Sequence, residues 1–382
     1  MSPEHLDLAN ELAALCHDEA LDLLRDLARI PAPSHCEERR AKFVLDWMEA
    51  NGMTGAFIDE ATNVILPLAD DGTCDLIVFA AHMDVVFPDT DELPLLERDG
   101  RLYAPGVGDD TANLVALLMA ARELSRHPSW LPPHSGVLIV ANSCEEGLGN
   151  LKGTRQLFAT YGRRIKRFYS FDLYLPQCID TAVGSHRWRI SVTTQGGHSF
   201  KDFGLPNAVE RLCALIGELY ALPLPQDANC TRNVGTITGG STINAIASHA
   251  EATFEFRSTS DAALQTLAAQ LEASIERFRT NGVSVEIESL GKRPASASQD
   301  DQLARMTEVS RDVIRSVTGE EPWGGPASTD ANIPLSLGIC ANTLGAIRGA
   351  LLHTRGEWVD AQSLRDGIAV VLGIMLAQGR LG

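Results

Sequence analysis

LIVFAAHMDVV (76–86) decides the fold. Its first residues, LIVFAA, are apolar without a break, the mark of a strand buried on both faces. The run stops at a histidine and an aspartate two residues apart. Downstream the period changes: TANLVALLMAARELSRH (111–127) sets Leu114, Leu117, Leu118, Ala121 and Leu124 on one helical face, with Asp109 or Asp110 expected as its N-cap. VLIVAN (137–142) reads as another buried strand and FYSFD (168–172) as a third. Strand, helix, strand and helix with continuous apolar strands predict an α/β fold with a mainly parallel sheet.

The pattern changes near residue 184. RWRISVTTQ (187–195) alternates as a half-exposed strand does, and a helix is expected over 206–221. NVGTITGG, AEATFEFRS, a helix over 261–279 and VSVEIESLG follow. This βαββαβ order predicts a ferredoxin-like α+β unit. After about 295 the α/β character returns with a helix over 301–318, the turn GGPAST, the strand ICANTLG and a helix over 361–378. The expected organisation is a discontinuous catalytic domain, 1–183 and 295–382, with a smaller domain inserted at 184–294.

A chain of 382 residues, 45% hydrophobic and 21% charged, is ample for two buried cores. Its net charge of −18 repels phosphate backbones and anionic lipid, which argues against nucleic-acid and membrane partners. The eight cysteines form no C-x-x-C pair, so a reducing, cytoplasmic setting is expected. MSPEHLDLANELAALCHDEALDLLRDLARI (1–30) carries acids early and leucines at helical spacing, unlike a signal peptide, and no apolar run approaches the roughly 20 residues of a membrane span.

Polar clusters follow the expected strands and turns: His82 and Asp84, Asp109 and Asp110 in GVGDDT, Glu145 and Glu146, Asp172, and His353 beyond ICANTLG. Taken singly, an acid after a strand caps the next helix and a lone histidine is structural. In open α/β sheets, however, the carboxyl ends of the strands share one crevice, so these clusters are expected to converge. Imidazole and carboxylate without thiolate suit catalytic Zn²⁺, Mn²⁺ or Co²⁺. Two histidines and three carboxylates serve two metals if one carboxylate bridges, and two metals roughly 3.5–4 Å apart polarise a carbonyl and activate water. A further carboxylate near that water then acts as general base, and Glu145-Glu146 offers one ligand and one base.

AAHMDVV (80–86), GVGDDTAN (106–113), SCEEGLGNLKG (143–153), QGGHS (195–199), TDAN (329–332) and LLHTRGEW (351–358) run in a specific order. The set resembles the M20 metallopeptidase family, which includes acetylornithine deacetylase, succinyl-diaminopimelate desuccinylase, carboxypeptidase G2 and peptidase T. The resemblance implies that His82 and Asp172 bind one metal, that Glu146 and His353 bind the other, and that Asp109 bridges them. It implies that Asp84 orients His82 and that Glu145 is the base that deprotonates the attacking water and protonates the leaving nitrogen. The metals would be two divalent ions, Zn²⁺ first, with Co²⁺ or Mn²⁺ as alternatives. The insertion corresponds to a lid or dimerisation domain, and His198 would reach the other subunit's site in a homodimer to stabilise the oxyanion. Asn244 and Arg257 match substrate-contacting positions, with Arg257 suited to a substrate carboxylate.

Two departures leave the substrate subgroup open. Asp110-Thr111-Ala112-Asn113 stands where many members have Lys-Ala-Gly or Met-Lys-Gly, and Leu-Tyr-Leu follows Asp172. Cys144 beside the glutamate pair reads as a small packed residue rather than a reactive thiol. The expected activity is hydrolysis of an amide bond next to a free carboxylate, in an N-acyl amino acid or a short peptide. The alternatives are a carboxypeptidase or tripeptidase-type exopeptidase, a hydrolase of esters or carbamoyl C–N bonds, and a non-catalytic binding protein of the same fold.

Overall fold

The computed structural model describes residues 1–297 and 300–381 and divides into two compact units. One comprises Met1–Thr181 and Ala297–Gly382, the other Ala182–Ser296.

In the first unit a seven-stranded sheet runs Phe57–Ile58, Val64–Leu68, Ser135–Asn142, Asp75–His82, Ile165–Phe171, Cys340–Leu344 and Cys178–Ile179. The four strands from Ser135–Asn142 to Cys340–Leu344 are parallel; Val64–Leu68 and Cys178–Ile179 flank them antiparallel, and Phe57–Ile58 at the edge is antiparallel to Val64–Leu68. Every residue of Asp75–His82 after the first is buried, as a parallel strand covered on both faces requires. Val64, Leu66, Ile77, Phe79, Val137, Ile139 and Phe171 join one core with the helices Ala112–Arg126, Ser363–Leu376, His17–Arg29 and Asp301–Thr318. On the opposite face Phe168 packs against Phe158 of the helix Lys152–Tyr161. The register sets His82 opposite Asn142 and Leu344 opposite Phe171, so the carboxyl ends of these strands finish level with one another.

A second sheet of four short antiparallel strands, Gly349–Ala350, Trp358–Asp360, Arg101–Tyr103 and Leu96–Arg98, lies in the same unit. The loop with His353 joins its first two strands, and the turn with Asp109 leaves Arg101–Tyr103.

The expected N-cap is not observed. The helix Ala112–Arg126 starts after Thr111 with no side-chain cap. Asp110 instead accepts the His82 backbone N–H at 2.9 Å and the Asn113 amide at 2.6 Å. A tertiary partner has taken the carboxylate that local capping would have used.

Arg40 is an interior cation with no exposed surface. Its Nη1 donates to the Met83 carbonyl at 2.7 Å and Thr111 Oγ1 at 3.2 Å, and its Nη2 to the carbonyls of Leu27 and Ile30. Burial pulls its pKa down to about 10, against the pull of Asp84. One guanidinium thus ties two helices to Met83, the residue between His82 and Asp84.

The second unit is a four-stranded antiparallel sheet in the order Thr231–Gly239, His249–Ser258, Gly184–Thr194, Val283–Arg293. In chain order this is 2-3-1-4, the ferredoxin-like arrangement. Trp188, Ile190 and Val192 alternate into a core with Leu212 and Leu215 of the helix Ala208–Ala221 and Leu264 and Leu271 of the helix Asp261–Phe278. Among the described residues, no helix is long and apolar enough to cross a membrane.

Candidate metal centre

Asp109 sits between two histidines. Its Oδ1 lies 3.0 Å from His82 Nε2 and its Oδ2 lies 2.9 Å from His353 Nε2. His82, Asp109 and Asp172 each offer one ligand atom within 4.8 Å of the others, and so do Asp109, Glu146 and His353. The first unit therefore brings together all five residues expected to bind metal, in two triplets that share Asp109.

The donor chemistry fits cations. His82 Nδ1 lies 3.0 Å from the Asp84 carbonyl, which only accepts, so Nδ1 carries the proton. Nε2 is then the ring nitrogen left to face the Asp109 carboxylate, the atom that would offer a lone pair to a cation. Glu146 Oε1 is buried without a hydrogen-bond partner among the described residues; the 3.4 Å approach of His353 Nε2 is an ion-pair contact outside hydrogen-bond geometry.

Charge tells the same story. Burial, then Asp109, pushes Glu146 up to about 8, and burial, then Glu145, pushes Asp330 up to about 7. Asp172 is raised well above the usual carboxylate range by burial and then by Asp109. His353 is lifted to about 10 by its contacts with Asp109 and then Glu146. Burial opposes ionisation of Asp109, but His353 and His82 outweigh it and hold that carboxyl low. Buried carboxylates outnumber the two imidazoles, and a low-dielectric site with that excess calls for added positive charge.

Further carboxylates hold the loops rather than face the triplets. Asp84 accepts the N–H groups of Glu145 and Glu146, both at 2.9 Å, and the Ser34 hydroxyl at 2.6 Å. Its oxygen stands 3.4 Å from His82 Nδ1, so its carbonyl is the closer support of that ring. Glu37 accepts the N–H of Cys144 at 3.0 Å and its thiol at 3.2 Å. Cys144 is fully buried, and burial, then Glu37, pushes its thiol up to about 12, as befits a packed donor. Asp330 accepts from the Asn142 amide and the Thr154 hydroxyl. Glu357 accepts three N–H groups of the Gly106–Asp109 turn. Asn113 places its amide near the carbonyls of Gly108 and Leu173 and accepts the Ala346 N–H. Sequence reasoning assigned no role to Arg40, Glu37, Asn113, Asp330 or Glu357. Asn113, Asp330 and Glu357 stood inside the motifs GVGDDTAN, TDAN and LLHTRGEW as polar residues without a stated role, whereas Glu37 and Arg40, in SHCEERRAK, stood outside every motif.

His198, Asn244 and Arg257 belong to the second unit. His198 pairs with Ala245, and its exposed ring accepts from the Phe200 and Lys201 N–H groups. The carbonyl of Asn244 accepts the Ser199 N–H at 3.0 Å, so these two residues share one loop cluster. Arg257 lies near the opposite end of the strand His249–Ser258 and donates to Glu255 at 3.0 Å. At about 3.3 Å per residue, the strand separates it from that cluster by roughly 25 Å.

The profile of peptidase family M20/M25/M40 matches residues 78–377, a span that includes every residue of both triplets. A succinyl-diaminopimelate desuccinylase of Methylobacterium radiotolerans is 26% identical over 381 residues, covering 92% of this chain and 95% of that protein. Among solved structures, a tripeptidase of Staphylococcus aureus aligns with a TM-score of 0.76 at 20% identity, covering 95% of this chain and 99% of that one. A dinuclear metal-binding M20 peptidase of Bacillus subtilis aligns with a TM-score of 0.66 at 15% identity, covering 97% and 100%. The structural likenesses bear on the fold, and the profile runs through both units and both triplets. The chain belongs to peptidase family M20/M25/M40.

Proposed function

We propose that Asp109 bridges two divalent cations, with His82 and Asp172 completing one site and Glu146 and His353 the other. Membership of the family makes the protein a metal-dependent hydrolase of C–N amide bonds, and a purely non-catalytic role is not favoured. The observation that carries the assignment is the Asp109 carboxylate, whose two oxygens face different imidazoles at 3.0 and 2.9 Å. Zn²⁺ suits this nitrogen and oxygen donor set, with Co²⁺ and Mn²⁺ as substitutes. When bound, the cations polarise the scissile carbonyl and make water a stronger acid.

Glu145 is the proposed base. It is buried, its backbone is fixed by Asp84, and it belongs to neither triplet. Its carboxylate takes a proton from the attacking water and returns it to the leaving nitrogen.

The proposed substrate is an N-acyl amino acid with a free carboxylate, a reading supported by the full-length likeness to a desuccinylase. In it, Asn244 and Arg257 contact the substrate and His198 stabilises the oxyanion. The His198–Asn244 cluster and Arg257 stand at opposite ends of one strand. If both ends touch one small substrate, they come from different copies, which supports a homodimer with His198 acting in trans. Phe200, Phe203 and Ile243, exposed beside that cluster, give a second copy apolar surface to cover. The eight unpaired cysteines support a reducing, cytoplasmic setting.

Turnover of N-succinyl and N-acetyl amino acids against dipeptides and tripeptides, each with Zn²⁺, Co²⁺ or Mn²⁺ supplied, tests the substrate. Acyl amino acids are expected to be cut faster. Hydrolysis of peptides alone would replace deacylation with exopeptidase action.

A further inference from the structure

We propose that Glu357 is a positioning residue for the metal centre: its carboxylate fixes the turn that carries Asp109 and ties it to the loop that carries His353. The inference rests on the reading of Asp109 as a bridging ligand.

Glu357 has no exposed surface. Its Oε1 accepts the N–H groups of Gly108 and Asp109, each at 2.8 Å, and its Oε2 accepts that of Gly106 at 3.1 Å. Three backbone donors of one short turn therefore converge on one carboxylate. The contacts include the N–H of Asp109 itself, so they set the backbone from which the shared side chain projects. The turn has no slack on this side: a Cβ at Gly108 would lie 2.7 Å from the Tyr174 ring and 3.0 Å from Glu357 Oε1. Glu357 is also four residues from His353, on the loop between Gly349–Ala350 and Trp358–Asp360. Both partners of the 2.9 Å contact between His353 and Asp109 are thus referred to one buried carboxyl group.

The geometry distinguishes the conservative replacements. In Glu357→Gln, one oxygen still accepts two N–H groups, but the amide NH₂ faces the third donor. In Glu357→Asp, the carboxyl group is kept and the reach is one methylene shorter.

Metal-free wild type, Glu357→Gln and Glu357→Asp are titrated with Co²⁺, followed by visible absorption, and with Zn²⁺ in competition with a chelator. Melting temperatures are recorded alongside. Wild type is expected to take up two ions per chain. Glu357→Gln is expected to bind them about 10–100-fold more weakly and with an altered Co²⁺ spectrum, as losses of such outer partners do, and Glu357→Asp to recover part of the affinity. Ile374→Ala, in the buried helix Ser363–Leu376, provides a destabilised control with normal affinity. Wild-type affinity and spectrum in Glu357→Gln would overturn the proposal, as would an equal affinity loss in the control. If Glu357→Gln does not fold, Glu357→Asp is judged by the same measurements; if neither folds, the role is structural and the proposal fails. Wild type that takes up fewer than two Co²⁺ ions refutes the bridging reading instead.

Discussion

Asp84 Oδ1 accepts the backbone N–H of Glu145 at 2.9 Å, so the proposed base is seated by a carboxylate two residues beyond His82. Its other oxygen does the same for Glu146. Asp84→Asn turns one of these acceptors into a donor that opposes an N–H. The substitution is expected to lower kcat about 10–100-fold with the fold retained, as loss of such outer contacts does. Kinetics paired with circular dichroism check it, and unchanged kcat would show that the Glu145 backbone needs no such seat.

Glu145 itself is separable from the metals. Glu145→Gln keeps the size of the side chain and removes its basicity. Metal content is expected to stay at the wild-type level while kcat falls roughly 10²–10⁴-fold. Elemental analysis of the same preparation used for kinetics decides the matter: loss of metal would make Glu145 a ligand, and near-normal turnover would make it a bystander.

The fold was readable because its strands are buried on both faces. LIVFAA and VLIVAN leave no exposed face to interrupt the apolar run, and the helix around Leu114–Leu124 declares itself by period. Strand-end topology explained why His82, Glu146 and Asp172 should meet. The supporting carboxylates were less readable, because their partners are backbone N–H groups that exist as a set only once a turn has formed. Glu357 reaches Gly108 across 249 residues of chain, and Glu37 reaches Cys144 across 107. Asp110 shows the same limit from the other direction: its position suggested a helix cap, but the N–H of His82 is the partner it found.

His198 offers a test of subunit sharing. His198→Ala is expected to keep its metal and lose turnover, because the role proposed for the ring is on the oxyanion and not on the ions. If the chain dimerises and His198 acts in trans as proposed, mixing that variant with Glu145→Gln should restore activity, since one site of the heterodimer would combine an intact Glu145 with an intact His198. Confirmed heterodimers with no recovered turnover would exclude action in trans.

His186 in the second unit is expected to weaken the protein in acid. Burial, then Lys292, pulls its pKa down to about 4, and Nε2 is buried without a hydrogen-bond partner among the described residues. A histidine whose folded pKa lies below its unfolded value of about 6.5 is proton-free in the native state while the unfolded chain gains a proton. Its contribution to stability is therefore intact above pH 6.5 and is lost as pH falls towards 4. Trp188, edge-on to the ring at 5.6 Å, places the site in the apolar core, where His186→Leu removes the titration without adding a charge. Denaturant melts at pH 7, 6, 5 and 4.5 should show wild type losing stability faster than His186→Leu. Parallel curves for the two proteins would mean that other groups govern the acid limb.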